Sequence, residues 1–491
     1  MARSLRSQRE TRASAGLAAR TGQPALNCTG HRNGYRAETL RDGFHGRRRP
    51  GAMMDIVSAA LSALVSFDIR GLSGDILDFV FFYPLFMSYV WTAGGLYYYF
   101  YWERHTPGPD DPPVFDNPPL VSLLVPCFNE GDNVDETIAG LAAQRYPNIE
   151  IIAINDGSKD NTGAALEALL AKYPKLRVIH LAKNQGKAMA LRMGALVARG
   201  EFLVCVDGDA ILHPNATAHL IKHFMTGARV GAVTGNPRIR TRSSMLGRIQ
   251  VCEFSSIVGL IKRSQRIYGN VFTISGVIAA FRRAALQHCG YWSLDKITED
   301  IAVSWSLELN HWQIRYEPSA LCWILMPETF KGLWRQRLRW AQGGAEVFLE
   351  NFRRVCRWRH RRMWLVVAEY ISSILWAYAL ALSVALWGIG KFVAMPEGLN
   401  VPTLWPPAFW GLLLATSYLV QSIVALAIES RYETGLWRYY VWAIWYPLAF
   451  WFVSFATSLV GFPKALFKKR GTRGIWTSPD RGFRTFTPTA S

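Results

Sequence analysis

Hydrophobic residues in this chain follow two rhythms. Over 76–100 they run almost unbroken, about 25 residues, enough for a tilted helix to cross a ~30 Å hydrocarbon layer. The run ends in Tyr98, Tyr99, Tyr101 and Trp102, then Arg104, an aromatic belt with a positive flank. A shorter apolar stretch over 56–67 lies at the lower limit for a span. Pro107, Pro109, Pro112, Pro113, Pro118 and Pro119 then make a stiff linker. From Leu120 the rhythm shortens. Val121-Ser122-Leu123-Leu124-Val125-Pro126, Ile149–Asn155, 176–181 and Phe202–Val206 read as buried strands, while 134–144, 162–171 and 186–198 carry helical periodicity. Strands alternating with helices predict a parallel sheet covered on both faces, with ligands gathering past the strand ends.

Beyond residue 210 the texture is mixed, with strand-like 230–235 and 272–275. Residues 331–348 form a basic, aromatic amphipathic helix suited to a membrane surface. Three more apolar runs come after it: 364–389, 404–428 and 439–462. Three full spans starting inside would set Lys464, Lys468, Lys469 and Arg470 outside, against the positive-inside rule. Pro447 marks the last run for a break or a re-entrant turn, so the pattern leaves the span count open.

Composition agrees with a mixed membrane protein. Hydrophobic residues make up 50% and mean hydropathy is +0.07, too apolar for an ordinary soluble enzyme. The net charge of +19 would suit nucleic acid, but the basic residues crowd the N-terminal tail and the ends of apolar runs. An anionic nucleotide and anionic lipid headgroups account for the rest, and the Arg-dense 353–362 is expected to face the cytoplasm. Residues 1–52 lack any apolar run; they are expected to be disordered, with Met53 or Met54 as the natural start, or else to be a basic arm on lipid. The seven cysteines (28, 127, 205, 252, 289, 322, 356) show no C-x-x-C spacing and read as reduced buried thiols. The sequons at Asn27 and Asn215 carry little without a secretory context.

Candidate chemistry gathers at the strand ends. Asp156 sits in Asn155-Asp156-Gly157-Ser158, which is also an ordinary turn. Val206-Asp207-Gly208-Asp209 closes a buried strand with two carboxylates, able to direct one at a ribose and one at Mg²⁺ or Mn²⁺. Asn184-Gln185-Gly186-Lys187 sets a flexible turn and a cation at a helix start, suited to phosphate; a solvated lysine is the plain alternative. Ile297-Thr298-Glu299-Asp300 offers a base, unless it is a surface pair behind a Thr298 cap. Gln336-Arg337-Leu338-Arg339-Trp340 brings an amide, two guanidiniums and an indole together, for diphosphate and ring stacking; Trp323, Trp334 and Trp340 are otherwise interface residues. No G-x-G-x-x-G occurs, which disfavours a dinucleotide fold. Nor is there a nucleophile–base pair of the hydrolase kind.

Each motif alone is weak, but their order and spacing are not. Pro126–Glu130 (P-x-F-N-E), N-D-G-S, D-G-D, T-E-D and Q-R-L-R-W together resemble the processive family-2 glycosyltransferases of the GT-A fold. Thr234-Gly235-Asn236-Pro237-Arg238, Tyr268-Gly269-Asn270-Val271-Phe272, Leu325-Met326-Pro327-Glu328-Thr329 and Ser478-Pro479-Asp480-Arg481-Gly482 narrow the resemblance to bacterial poly-β-1,6-N-acetyl-D-glucosamine synthases, over roughly 75–482. The resemblance implies an α/β GT-A domain, a mixed, mainly parallel sheet with helices on both faces, inserted between transmembrane helices. It implies that Glu130, Asp156 and Lys187 hold the uridine diphosphate moiety, Asp207 its ribose and Asp209 the metal. Asp300 would be the base, supported by Glu299. Ser275, Gly276 and Trp340 would meet the acceptor, while Gln336, Arg337 and Arg339 face the donor diphosphate.

The implied partners are UDP-N-acetylglucosamine, the growing polysaccharide, the bilayer, a small membrane accessory subunit and the activator cyclic di-GMP, with no nucleic acid. The implied location is the bacterial inner membrane, multi-pass, catalytic domain cytoplasmic. A protein-lined channel would explain Glu369 and Gln421 inside apolar runs, a polar helix–helix contact being the alternative. Expected boundaries are 1–52 arm, 53–104 first membrane region, 105–119 linker, 120–330 catalytic domain, 331–363 interfacial helices, 364–465 second membrane region and 466–491 tail. Rivals are a hyaluronan-, chitin- or cellulose-type synthase, and a catalytically silent membrane scaffold or transporter, which predicts degraded carboxylate motifs.

Overall fold

The computed structural model describes residues 71–404, 408–469 and 471. The arm over 1–52, the stretch 56–67, Cys28 and Ser478-Pro479-Asp480-Arg481-Gly482 lie outside the described residues. Helix α1 (Leu72–Tyr98) leads in and widens into a π-helical turn over Tyr99–Glu103. Eight strands form one sheet: β1 (Val121–Cys127), β2 (Ile149–Asn155), β3 (Leu176–His180), β4 (Phe202–Val206), β5 (Ile211–Leu212), β6 (Val230–Ile239), β7 (Ile278–Arg282) and β8 (Gln313–Ile324). Their order is β3-β2-β1-β4-β7-β6-β8-β5.

Helices α2 (Val134–Ala142), α3 (Thr162–Leu170) and α4 (Lys187–Val197) flank the first half of the sheet. Successive strand residues point to opposite faces, and the core divides accordingly. Leu123, Val125, Ile151 and Ala153 join Val134, Ile138 and Leu141 of α2 in one layer. Leu124, Ile152 and Ile154 join Ala190, Leu191 and Ala195 of α4 in the other. Burial on both faces is why β1 and β2 are apolar without alternation.

The first four strands in spatial order are parallel, as their texture predicts. Beyond them the sheet is mixed: β7 runs antiparallel to β4 and β6, and β8 runs parallel to β6. This reversal has a consequence for chemistry. Val206, last in β4, pairs with Ile278, first in β7, so Ser275 and Gly276 arrive at the same rim as Asp207.

Residues 272–275 do not form the strand expected of them; only an isolated bridge joins Ser275 to Ile278. Side chains take the amide protons a strand would need. Phe272 N–H donates to Gln265 Oε1, Ile274 N–H to Ser304 Oγ and Ser275 N–H to Thr234 Oγ1.

The second half of the sheet carries α5 (Ala216–Met225), α6 (Met245–Glu253), α7 (Leu260–Tyr268), α8 (Arg283–His288) and α9 (Glu299–Leu309). Helix α10 (Phe330–Val355) outruns its expected limits and is not simply laid on a surface. Its Val347 and Phe348 pack with Ile301 and Trp305 of α9, so it joins the catalytic domain to the apolar helices beyond it.

Among the described residues the longer of those helices are α11 (Trp364–Gly390), α12 (Ala408–Glu429) and α13 (Phe452–Leu466). The stretches Leu72–Glu103, Trp358–Gly390 and Phe409–Glu429 are long and apolar enough to cross a membrane. The run 439–462 is interrupted by a π-helical turn over Pro447–Trp451. Trp91 Nε1 donates to Glu369 Oε1 at 2.9 Å, and Ser88 Oγ to Gln421 Oε1 at 2.6 Å. The polar residues inside these runs therefore make helix–helix contacts. Cys127, Cys205, Cys252 and Cys322 are buried free thiols, whereas Cys356 is exposed, unlike the expectation. Asn215 is fully buried, its Nδ2 donating to Pro109 O, so it is no glycan acceptor in this fold.

Candidate active site

The site is built where β1, β2 and β4 end. Asp156, one residue past β2, is wholly buried and accepts the N–H groups of Gln185 and Gly186, each at 2.8 Å. Burial raises its pKa, and the two backbone donors oppose the shift. Gly157 has φ 64°, and a Cβ there would lie 2.5 Å from the Lys183 backbone, so only glycine lets the two turns meet. Asp156 thus fastens the turn that starts α4.

That turn delivers Lys187 to the middle of the rim. Its Nζ lies 2.5 Å from Asp207 Oδ1 and 3.2 Å from Glu299 Oε1, and donates to the Gly276 carbonyl at 3.1 Å. Burial by itself would lower the Lys187 pKa; Asp207 and Glu299 hold it above the ordinary lysine value. Asp207 is raised by burial, with Lys187 opposing and Asp209 adding to the rise. The side chain of Glu130 packs on the same turn, since a Cβ on Gly208 would lie 3.0 Å from Glu130 Cγ. The Cys127 thiol is pushed up by burial and then by Glu130, Asp209 and Asp207, which reports how closely negative charge is gathered here. Such a concentration suits a cation. Among the described residues no group of three His, Cys, Asp or Glu side chains could cage a metal unaided, so a divalent ion needs substrate oxygens as well.

The opposite wall is the start of α9. Thr298 occupies the N-cap position, yet its hydroxyl makes no cap hydrogen bond and is buried without a partner. Gly343 of α10 explains the tightness, because a Cβ there would lie 2.2 Å from Thr298 Oγ1. Asp300 Oδ1 accepts the Ile301 N–H at 2.9 Å, and a Cβ on Gly276 would lie 3.0 Å from Asp300 Oδ2. Burial and then the Glu299 charge push Asp300 up to about 6, while Lys187 and Arg339 oppose. A carboxylate so tuned is a competent base near neutral pH.

The Gln336–Trp340 cluster divides. Arg339 is exposed on α10, and its charge reaches Asp300. Arg337 is not free for a diphosphate here: its Nη2 donates to Glu253 Oε2 at 2.7 Å, and its guanidinium stacks 4.3 Å from the Trp340 ring. The helix turns ~100° per residue, so residues 337 and 339 face different neighbours, and the buried Glu253 claims the first. Half-buried Trp340 leans on the main core, and Gln336 Nε2 donates to Met326 Sδ at 3.6 Å.

One residue of the rim escapes sequence reasoning. Lys262 of α7 is 5% exposed and donates to Thr234 Oγ1 and Ser275 Oγ. In a run as basic as Ile261-Lys262-Arg263-Ser264-Gln265-Arg266 it reads as a solvated charge.

Comparison with known proteins bears on this arrangement. Residues 118–343 match the model of the glycosyltransferase like family 2. The chain is 41% identical to the poly-β-1,6-N-acetyl-D-glucosamine synthase of Staphylococcus aureus (strain MSSA476) over 406 residues, covering 82% of this chain and 98% of that one. This chain belongs to the family-2 glycosyltransferases. The synthase of Staphylococcus epidermidis is 40% identical over 421 residues, 83% of this glycosyltransferase and 98% of its own length. Among solved structures, the mannosyltransferase PcManGT from Pyrobaculum calidifontis, in complex with GDP-Man and Mn²⁺, superposes with a TM-score of 0.53 at 20% identity. It covers 81% of this glycosyltransferase and 99% of its own chain, which fixes the GT-A fold. With its apolar helices, the glycosyltransferase is a membrane protein.

Proposed function

We propose that this enzyme polymerises N-acetylglucosamine from UDP-N-acetylglucosamine into a β-1,6-linked biofilm polysaccharide and exports the growing chain through the membrane. The observation that carries the reading is Lys187, whose one ammonium touches the donor-side Asp207, the base-side Glu299 and the acceptor-side Gly276 carbonyl. Three motifs far apart in the chain meet at an atom, with Asp300 beside it. The near full-length likeness to synthases of that name supports the sugar and the linkage.

In this reading Glu130, Asp156 and Lys187 bind the uridine diphosphate and Asp207 the ribose. Asp300 takes the proton from the acceptor O6, supported by Glu299. The O6 lone pair attacks the anomeric carbon from the face opposite the diphosphate. The bond from that carbon to the diphosphate oxygen breaks, its electrons leave with UDP, and α becomes β. Lys187 and Arg339 stabilise the departing charge, and Ser275, Gly276 and Trp340 seat the acceptor. A divalent cation, Mg²⁺ or Mn²⁺, held by Asp209 with the diphosphate oxygens, would neutralise charge there. The reading extends to the inner membrane with the catalytic domain in the cytoplasm, a small membrane accessory subunit and activation by cyclic di-GMP.

The test is to incubate the purified enzyme with UDP-N-acetylglucosamine and either Mg²⁺ or Mn²⁺, then digest the product with linkage-specific hexosaminidases. A polymer cut by a β-1,6-specific enzyme is expected, and its loss in EDTA. A polymer resistant to that enzyme overturns the linkage.

A further inference from the structure

Lys262 is a buried ammonium to which the proposed reaction gives no task. Its Nζ donates to Thr234 Oγ1 at 3.2 Å and to Ser275 Oγ, and the Tyr316 ring centroid lies 5.7 Å away. It makes no ion pair among the described residues. Asp300 is the carboxylate whose field reaches it. The next residue in the chain behaves oppositely: Arg263 is matched by Glu103 and Glu429. An ammonium has three donors, and burying one against two neutral hydroxyls is costly. Burial pulls Lys262 down to about 7 and Asp300 opposes, so the site tolerates the charge only narrowly.

The geometry gives that cost a purpose. Thr234 Oγ1, which accepts from Lys262, also accepts the Ser275 N–H at 2.8 Å. Ser275 is therefore held at two points, by its backbone to β6 and by its hydroxyl to α7. Gly276 is the next residue. Its carbonyl is taken by Lys187, and a Cβ there would lie 3.0 Å from Asp300 Oδ2, so any side chain would press on the Asp300 carboxylate. Residues 272–275 lack sheet pairing apart from the bridge at Ser275, so these side-chain ties are what fix the turn.

We propose that Lys262 is a positioning residue: by clamping Ser275 to Thr234 it holds the Gly276 turn against Asp300, so that the acceptor hydroxyl meets the base in one geometry. The inference rests on the reading of Asp300 as the base. It predicts a particular kinetic signature. A misplaced acceptor hydroxyl leaves the donor bound and lets water take its place, so the nucleotide sugar is hydrolysed to UDP and free sugar.

The experiment uses the full-length enzyme in nanodiscs, with UDP-N-acetylglucosamine and a β-1,6-linked N-acetylglucosamine oligosaccharide as acceptor. Lys262→Met is expected to lower the transfer kcat about 100-fold, a loss typical of misplaced reactants. UDP affinity should stay within about twofold, and UDP released per sugar transferred should rise. Combined with Ser275→Ala, it should cost little more than it does singly, because both changes break the same clamp. A wild-type UDP-to-sugar ratio, or strictly additive losses, overturns the proposal. If Lys262→Met does not fold, Thr234→Val and Ser275→Ala carry the test; each should raise the ratio, and wild-type behaviour of both overturns it. Polymer formation by Asp300→Asn would instead remove the base assignment, an outcome read separately from the Lys262–Ser275 coupling.

Discussion

Two of the clusters of buried charge among the described residues are built on opposite plans. At the junction of membrane and catalytic domain, Arg263 donates to both Glu103 oxygens at 2.6 and 2.7 Å and to Glu429 at 2.5 Å. Glu429 also receives Arg238 at 2.5 Å, Tyr432 donates to Glu103 at 2.6 Å, and Arg242 lies 2.5 Å from Glu433. Every one of these charges meets its opposite. At the catalytic rim, by contrast, Lys187 is crowded by acids, Asp300 is raised and Lys262 has only hydroxyls. The first plan joins the end of α1, α7, β6 and the end of α12 into one body. The second leaves charge uncompensated where a substrate is to supply the missing partners.

The sharpest way to break the comparison is at the rim. Asp300→Asn should reduce polymer synthesis by about three orders of magnitude while leaving UDP binding near wild type, since on the proposed reading only the proton acceptor is lost. Parallel loss of UDP affinity, measured by titration, would show that Asp300 holds structure rather than a proton. The junction should respond in stability instead of rate. Arg263→Met leaves the buried Glu103 without its cation and takes one of two cations from Glu429, and is expected to cost about 3–5 kcal/mol of stability. Thermal unfolding in detergent checks this, and a variant of unchanged stability with reduced kcat would erase the distinction between the clusters.

Arg337 and Arg339 carry the comparison onto one helix. Arg337→Ala breaks the Glu253 pair and should destabilise the fold. Arg339→Ala should keep stability and lower kcat about 100-fold, as removal of one charge-stabilising donor does. If the two variants exchange phenotypes, Arg337 rather than Arg339 faces the site.

Here the limit of sequence reasoning is physical. Carboxylates at Asp156, Asp207 and Asp209 are readable because they come just after apolar strand runs, and a sheet sends such residues to one rim. The antiparallel return of β7, which brings Ser275 and Gly276 to that rim, is not readable, because 272–275 look like a strand in sequence while side chains take their amide protons in the fold. Nor does Gln336-Arg337-Leu338-Arg339-Trp340 say which guanidinium faces the site. That is decided by Glu253, more than eighty residues upstream in the sequence, with Phe450 closing over the same guanidinium. Lys262 and Arg263 stand side by side in one basic helix, yet one belongs to each cluster.

The pH profile tests the rim more gently. As the proposed base, Asp300 would act when ionised, and its pKa is pushed up to about 6, so kcat should fall as pH drops through about 6. The Glu299 charge contributes to that rise, so Glu299→Gln should move the acidic limb downward. A limb that stays in place would mean that another group titrates.

The smallest effect belongs to a carboxyl that fits neither plan. Glu308, on α9 two helical turns beyond Asp300, accepts the Val271 N–H at 2.9 Å through Oε1, while its buried Oε2 has no hydrogen-bond partner. Burial pushes it up to about 8, with the Val271 amide and Arg266 opposing. Its folded-state pKa therefore lies above the ordinary value of 4.5. The stabilising contribution is complete below about pH 4.5, where both states are protonated, and is lost as pH rises to about 8, because only the unfolded chain ionises freely. Glu308→Gln keeps the shape and the acceptor for Val271 but cannot ionise. It should match the wild type near pH 4.5 and be the more stable of the two at pH 8. Unfolding midpoints at the two pH values measure the difference. Equal pH dependence in both proteins would mean that Glu308 is already charged in the fold and has a partner, which would move it from the exception into the matched cluster's plan.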